Sequence, residues 1–280
     1  MALLSSLLAA IGQIYFLNNR LAGALIVAGV IWASPWMAAT MMLATLCATL
    51  LALVCKWEPE AWRDGLFGFN AALVGLAFGL FAEHTPLWLL LSALGGGFSA
   101  WLYYRLRRLA AIPWYTLPFN LVVLPWLYFV GQRVADEVPQ GYNFSLSAIG
   151  QVIFLPDMVP AVLICAALLL AGIGMLGWAF VGAMVSSGAA LLLLVNPDYI
   201  NFGLTGYNGV LAAIAMFWHG SRQFWILLAP ALAGLMTAAM LKLGLPMLTM
   251  PFVLSCWLCL AMQKGLCYYR PASTTDREKV

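Results

Sequence analysis

Long apolar runs, separated by short polar clusters, occupy most of the 280-residue chain. A helix needs roughly 20 residues to cross about 30 Å of hydrocarbon. Ten runs come near that length and are predicted to span a membrane: 21–35, 36–55, 66–82, 87–104, 113–131, 158–175, 176–195, 203–218, 223–242 and 246–269. Two shorter apolar pieces, at 2–17 and 144–155, are predicted to be re-entrant helices that cross only half of it.

The composition agrees with a membrane environment for these runs. Apolar residues make up 64% of the chain and charged residues 8%, a balance typical of integral membrane proteins. The charged residues fall almost entirely between the apolar runs, so the formal net charge of +3 does not indicate a nucleic-acid partner. We predict an all-α integral membrane protein whose surface contacts lipid.

Lys and Arg are distributed unevenly between alternate loops. If both termini lie on one side, the other side carries only Arg133 and Lys242 of the 13 basic residues, which leaves eleven for the first side. Cytoplasmic loops of membrane proteins are enriched in Lys and Arg. We therefore expect both termini to lie in the cytoplasm.

Three motifs recur in the same order along the chain. The pairs are IGQIYF (11–16) with IGQVIF (149–154), GLFGFNAALVGLA (65–77) with GLTGYNGVLAAIA (203–215), and IPWYTLPFN (112–120) with LPMLTMPFV (245–253). The first two pairs are offset by 138 residues and the third by 133. Such ordered self-similarity indicates two homologous halves.

The repeat predicts the organisation of the chain. A first repeat at 1–133 is followed by an external linker at 134–143, a second repeat at 144–270 and a cytoplasmic tail at 271–280. Each half contains five full spans, an odd number, so the second half must be inverted in the membrane relative to the first. Inverted repeats place a shared site near the bilayer midplane. We predict two inverted repeats of five transmembrane helices, each with a re-entrant half-helix, around a central pore.

The repeated P-x-x-T-x-P-F motif interrupts a predicted helix in each half. Its prolines free backbone carbonyls, and Thr116 and Thr249 each add a hydroxyl three residues after the first proline. Irregular backbone at membrane depth is tolerated only inside protein or beside a polar cavity. The alternative is a proline kink in which each threonine bonds to its own helix. The duplication favours a place beside a pore.

Two glutamines in the short apolar pieces are candidate entrance residues. Gln13 and Gln151 would lie on opposite sides of the membrane, and a primary amide offers donors and an acceptor without net charge. Phe16 and Phe154 follow three residues later, on the same helical face. A glutamine that links two helices is the alternative interpretation.

A second aromatic and aliphatic pair also recurs. Phe69 and Leu73 of the first half match Tyr207 and Leu211 of the second. An aromatic side chain at helical spacing is more often part of a core, and only the duplication favours a wall of a pore here.

Catalysis and ion coupling find no support in the sequence. No predicted span carries Asp, Glu, Lys, Arg or His in its central third, where ion-coupled transporters usually need them. H-E-x-x-H and G-x-S-x-G motifs are absent, and Cys256 and Cys259 have no second pair or nearby histidine to complete a metal site. We expect neither an enzyme nor a bound cofactor.

The blocks IGQIYFLNN, GLFGFNAALVG, IPWYTLPFN and FGLTGYNGVLAAIA together resemble the urea transporter family. The resemblance implies a channel-type bacterial member in the inner membrane, and a homotrimer in which each protomer has its own pore for urea. The resemblance also implies roles for the site residues. The two outer sites would be formed by Gln13, Phe16, Gln151, Val152 and Phe154. The walls of a slot would be formed by Phe69, Leu73, Tyr207 and Leu211, and its midpoint by Thr116 and Thr249.

The chemistry of urea agrees with this resemblance. Urea is planar and neutral, so a site for it needs rings against its faces and acceptors along its edge, whereas an ion would lose its hydration without compensation. We expect channel-like passage of urea down its gradient. An ion-coupled transporter, a broader transporter of small amides or ammonia, or a membrane enzyme acting on an amide are the alternatives.

The inverted topology predicts that Gln13 faces the cytoplasm and Gln151 the outside. Single cysteines beside each glutamine, in a background without the six native cysteines, should react with a membrane-impermeant thiol reagent from opposite sides. Labelling of both from the same side would contradict the inverted arrangement.

Overall fold

The computed structural model describes residues 2–110, 112–130 and 144–268, and these residues form helices and no strands. The helices are α1 (Ala2–Gly12), α2 (Arg20–Ala33), α3 (Pro35–Val54), α4 (Pro59–Arg63), α5 (Phe69–Phe81), α6 (Pro86–Leu109), α7 (Leu117–Val130), α8 (Phe144–Gln151), α9 (Met158–Ala171), α10 (Ile173–Leu191), α11 (Pro197–Asn201), α12 (Tyr207–Trp218), α13 (Gln223–Lys242) and α14 (Met250–Tyr268). The predicted external linker at 134–143 and tail at 271–280 lie outside the described residues.

Several of these helices suit a membrane. Among the described residues, α3, α6, α10 and α13 are each long and apolar enough to cross it alone. Helix α1 with the 3₁₀ turn that follows it and helix α2 pass the same test as a pair, with a bend of 80° between them. The prediction of an all-helical membrane protein is therefore confirmed.

The ten predicted spans each coincide with a helix, but five of those helices have fewer than 15 residues. Helices α2, α5, α7, α9 and α12 have 12 to 14 residues, which corresponds to about 18 to 21 Å. Turns and extended segments occupy part of some of these predicted runs, as at 113–116 before α7. One boundary is also displaced, because the break between α9 and α10 falls at Gly172, whose φ of +125° favours glycine.

Helices pair in the same way in both halves. Helix α3 packs on α5 and α6, and α10 packs on α12 and α13, while α2 and α9 join the two halves. Glycines bring these helices close: a Cβ at Gly96 on α6 would lie 2.7 Å from the carbonyl oxygen of Ala44, and a Cβ at Gly234 on α13 would lie 2.1 Å from that of Ser186. Small residues allow such close approach between membrane helices.

The short helices α1 and α8 rest on equivalent turns. Gly65 and Gly203 have left-handed backbones, with φ of +78° and +82°. A Cβ at either position would lie 2.2 Å from the nitrogen of Ala10 on α1 or 2.4 Å from that of Ala148 on α8. Both the backbone conformation and the lack of space require glycine here, and the turns thereby fix where α1 and α8 end.

Close packing at Gly234 predicts a measurable cost for one methyl group. Gly234→Ala should lower the free energy of unfolding by about 1 to 3 kcal/mol, because α10 and α13 must separate. The loss would be measured as a lower thermal unfolding midpoint in detergent. Gly188→Ala is the matched control, since a Cβ there meets nothing within 4 Å. Equal midpoints for the two variants would show that the helices do not pack this closely.

Candidate functional site

Two cavities enter the helix bundle near opposite ends of α6. The large cavity, of about 620 Å³, is lined by His84, which lies just before α6. The small cavity, of about 400 Å³, is lined by Arg107 in the last turn of α6. At 1.5 Å per residue, the helix between these two residues is roughly 30 Å long, so the cavities open toward opposite sides of the protein.

The predicted site residues divide between the two cavities by the half of the chain they belong to. Among the predicted site residues, four of the first half line the small cavity and three of the second half line the large one: Gln13, Phe16, Phe69 and Thr116 in the former, Gln151, Phe154 and Tyr207 in the latter. The remaining predicted residues are buried and line neither of these cavities: Leu73, Val152, Leu211 and Thr249.

Helices α5 and α12 connect the cavities. Helix α5 begins with Phe69 at the small cavity and ends with Phe81 at the large one, whereas α12 begins with Tyr207 at the large cavity and ends with Trp218 at the small one. The two helices therefore run in opposite directions. Leu73 and Leu211 lie one turn into α5 and α12 and so occupy the protein between the cavities.

Helices α7 and α14 begin directly after the motif threonines. The carbonyl oxygens of Thr116 and Thr249 accept the first i to i+4 bonds, from Asn120 at 3.1 Å and from Val253 at 3.2 Å, so both threonines are N-cap residues. Each helix has a proline in its first turn, where a missing N–H is tolerated. The prediction that these motifs interrupt their helices is confirmed by the start of each helix.

Asparagines from other helices take over the capping of α7 and α14. The Phe119 N–H donates to Asn70 Oδ1 at 3.0 Å, and the Phe252 N–H donates to Asn208 Oδ1 at 3.2 Å. An N-cap threonine usually accepts such a bond with its own hydroxyl. The same two asparagines each donate from Nδ2, at 3.2 Å, to the carbonyl oxygen of the residue before the threonine.

The two threonine hydroxyls meet across the halves. Thr116 Oγ1 and Thr249 Oγ1 are 2.6 Å apart and hydrogen-bonded. Thr45 and Thr49 on α3 show the ordinary alternative, since each donates to the carbonyl oxygen four residues earlier in its own helix. The motif threonines differ from this alternative, because their hydroxyls bond to each other and not within their own helices.

Asn120 contributes a polar group that sequence reasoning missed. Its side chain is buried, and Nδ2 donates at 2.8 Å both to the Thr116 carbonyl oxygen and to Thr249 Oγ1. Its Oδ1 accepts from the Thr249 N–H at 3.2 Å. The repeat places Val253 at the equivalent position of the second half. This change from a polar to an apolar residue between otherwise matched motifs is the sequence feature that could have identified Asn120.

The glutamines and the phenylalanines after them occupy equivalent positions. Gln13 Nε2 donates to the carbonyl oxygen of Asp64 at 3.0 Å, and Gln151 Nε2 donates to that of Phe202 at 3.2 Å. Phe16 and Phe154 both have left-handed backbones, with φ of 62° and 64°. Non-glycine residues adopt this region rarely, and it is enriched at functional sites.

Aromatic contacts cross between the halves in a reciprocal way. The ring centroid of Phe16 is 6.4 Å from that of Phe252, and the centroid of Phe154 is 6.4 Å from that of Phe119, the counterpart of Phe252. Further rings surround Phe16 in the small cavity, with centroids at 6.0 Å for Tyr115 and 6.1 Å for Trp218. Neither Tyr115 nor Trp218 was predicted from the sequence to be a site residue.

Charged and titratable groups lie at the cavity mouths. Asp64, Arg107 and His219 line the small cavity, and His84 and Asp157 line the large one. His219 follows α12 and its Nε2 is 2.8 Å from the Tyr115 hydroxyl. Partial burial lowers the pKa of His219 and favours the neutral ring. Within the described ranges, no three His, Cys, Asp or Glu side chains are close enough to hold a metal ion.

A helical membrane fold with cavities at opposite ends of the bundle suits a transport protein for a small solute. Comparison with known protein families identifies the family. The urea transporter family matches residues 4–264, and the chain belongs to that family. It is a family of transporters and not of enzymes, as the sequence predicted.

The relatives of this chain include mammalian proteins. It is 29% identical to urea transporter 1 of Ovis aries over 296 residues, which cover 90% of this chain and 75% of that protein. It is 30% identical to urea transporter 1 of Rattus norvegicus over 246 residues, covering 75% of this chain and 62% of the relative. The family resemblance inferred from the repeated blocks is confirmed.

Proposed function

We propose that this protein lets urea pass down its gradient through a path that joins the small and large cavities at the Thr116–Thr249 pair. The observation that carries this proposal is the meeting of the two hydroxyls, 2.6 Å apart, where two interrupted helices begin. Equivalent residues of the two halves line the cavities on either side. The path is therefore polar at its centre and aromatic toward both ends.

The hydroxyl pair retains capacity for a substrate. Two hydroxyls together have four acceptor lone pairs and two protons. The bond between them uses one lone pair and one proton, and Asn120 donates to a second lone pair, on Thr249. Two lone pairs and one proton are left for a passing molecule. Urea, which has four N–H donors and a carbonyl acceptor, matches such a mixed edge.

Rings and aliphatic side chains provide the remaining walls. Phe16 and Phe69 line the path on the side of the small cavity, and Phe154 and Tyr207 line it on the side of the large cavity. We assign Leu73, Leu211 and Val152 to packing behind and between these rings, where they keep the gap narrow. Ions are excluded because a neutral site does not compensate for their lost hydration.

The division of residues between the cavities supports inverted repeats. Asp64, Arg107 and His219 belong to loops predicted to be cytoplasmic, and all three line the small cavity. His84 and Asp157 belong to loops predicted to be external, and both line the large cavity. The 80° bend after α1 supports a re-entrant first segment. We propose cytoplasmic termini on these grounds, and a bacterial inner-membrane location on the basis of the family resemblance.

The outer surface suits lipid and neighbouring protomers. Large apolar side chains on it are highly exposed, among them Trp32 at 71% and Phe129 at 90%. Apolar side chains are stable in hydrocarbon, and within a helix the backbone N–H and C=O groups bond to one another and not to lipid. We propose a homotrimer with one pore in each protomer, on the basis of the family resemblance.

Channel-like passage predicts that urea flux does not depend on an ion gradient. Urea entry into proteoliposomes, followed by stopped-flow light scattering, should be equal with and without a proton or sodium gradient and should saturate poorly. Empty liposomes provide the background rate. Flux that rises with either gradient would instead support the ion-coupled alternative.

The hydroxyl pair predicts different effects for two substitutions. Thr116→Val or Thr249→Val keeps the side-chain shape but removes a hydroxyl, and a urea group left without its partner costs roughly 1 to 3 kcal/mol. The expected loss of urea flux is therefore about five- to 150-fold, since 1.36 kcal/mol corresponds to about tenfold in rate.

Serine at the same positions is the matched control. Thr116→Ser and Thr249→Ser keep the hydroxyl and lose one methyl group, so most of the flux should remain. Equal flux for valine, serine and wild-type proteins at equal reconstituted yield would remove the hydroxyl pair from the path.

A further inference from the structure

Asn120 breaks the symmetry of the two halves at the centre of the protein. Each half supplies one threonine, one capping asparagine and one interrupted helix, but only the first half has an amide where the second has Val253. The Asn120 side chain is 1% exposed and makes three hydrogen bonds, two of them to Thr249. The hydroxyl pair therefore has unequal surroundings.

The unequal surroundings give the hydroxyl pair a direction. Thr249 Oγ1 accepts a bond from Asn120 Nδ2 at 2.8 Å. A hydroxyl that accepts a hydrogen bond is polarised and becomes a better donor in the next bond of a chain. Either hydroxyl can donate in the 2.6 Å bond between them, and the bond from Asn120 favours Thr249 as the donor. In the opposite direction, Thr249 would accept two bonds and Thr116 none.

This direction decides which group faces the small cavity. Thr116 lines that cavity, whereas Thr249 does not. If Thr116 accepts from Thr249, the Thr116 proton is left to point toward the cavity. The chain of donors thus runs from Asn120 through Thr249 and Thr116 to whatever molecule occupies the path.

We propose that Asn120 is a positioning and specificity-determining residue, which orients the hydroxyl pair so that Thr116 donates a hydrogen bond to the carbonyl oxygen of the substrate. The proposal rests on the proposed function, since urea must pass the threonine pair for its oxygen to receive this bond. It extends the role of the midpoint, which then recognises the acceptor of urea as well as its N–H groups.

A directed donor selects planar amides that carry a strong acceptor. Thiourea has the same four N–H groups as urea, but its sulfur is a weaker acceptor than oxygen. Removal of the directing amide should therefore slow urea more than thiourea. A role of Asn120 in packing alone would change both permeabilities by the same factor.

The test is the ratio of urea to thiourea permeability in proteoliposomes. Asn120→Leu removes the amide and replaces it with an apolar group, as in the second half. We expect the ratio to fall about fivefold relative to wild type, the effect of one neutral hydrogen bond. Thr45→Val is the control, because the Thr45 hydroxyl is buried but donates to the Met41 carbonyl oxygen within α3, and its ratio should stay at the wild-type value.

A second variant covers the case in which Asn120→Leu does not fold. Asn120→Asp keeps the shape and the oxygen that accepts from the Thr249 N–H. In alkaline buffer its carboxylate only accepts, so the Thr249 proton turns toward it and the direction of the chain reverses. The permeability ratio should fall at least as far as in the leucine variant.

The outcomes separate this proposal from the proposed function. An unchanged ratio in the folded Asn120 variants, together with reduced urea flux in Thr116→Val, would overturn the role of Asn120 and leave the path intact. Unchanged urea flux in Thr116→Val would overturn both. A lowered ratio in the Asn120 variants but not in Thr45→Val supports the proposal.

Discussion

Two helices of this protein are capped by side chains from other helices, and the rest of the central site depends on that exchange. The N–H groups of Phe119 and Phe252 donate to Asn70 and Asn208. A threonine at the N-cap would ordinarily satisfy such a donor itself. Because the asparagines do so instead, Thr116 and Thr249 can turn their hydroxyls toward each other. Without this capping in trans, each hydroxyl would be needed by its own helix.

Neutral partners satisfy the polar groups exposed by the helix breaks. An unpaired N–H or C=O away from water costs several kcal/mol, and an interrupted helix exposes such groups by necessity. The carbonyl oxygen of Pro113 accepts from Trp257 Nε1 at 2.7 Å, and the carbonyls of Tyr115 and Leu248 accept from asparagine amides. The centre is thereby polar without a charge, which is the condition for passing urea while rejecting ions.

Strain in the backbone is matched between the halves. Tyr115 and Leu248, directly before the two threonines, have φ of 45° and 43°, a region that non-glycine residues rarely adopt. Hydrogen bonds from Asn70 and Asn208 hold these residues in place. Asn120 has no polar counterpart in the second half, where Val253 takes its place. This difference gives the hydrogen bond between Thr116 and Thr249 a preferred direction, although the rest of the site is nearly symmetric.

The sequence by itself determined the membrane class, the two halves and the positions of the helix breaks, because hydropathy, repetition and proline act locally along the chain. It also singled out Thr116 and Thr249 but left open whether each hydroxyl bonds to its own helix or faces a pore. That choice depends on the partner 133 residues away, and on Asn70 and Asn208, which reach their targets only in the folded chain. The same reason explains the unpredicted role of Asn120, because its bonds to Thr249 join the two halves and no local pattern contains them.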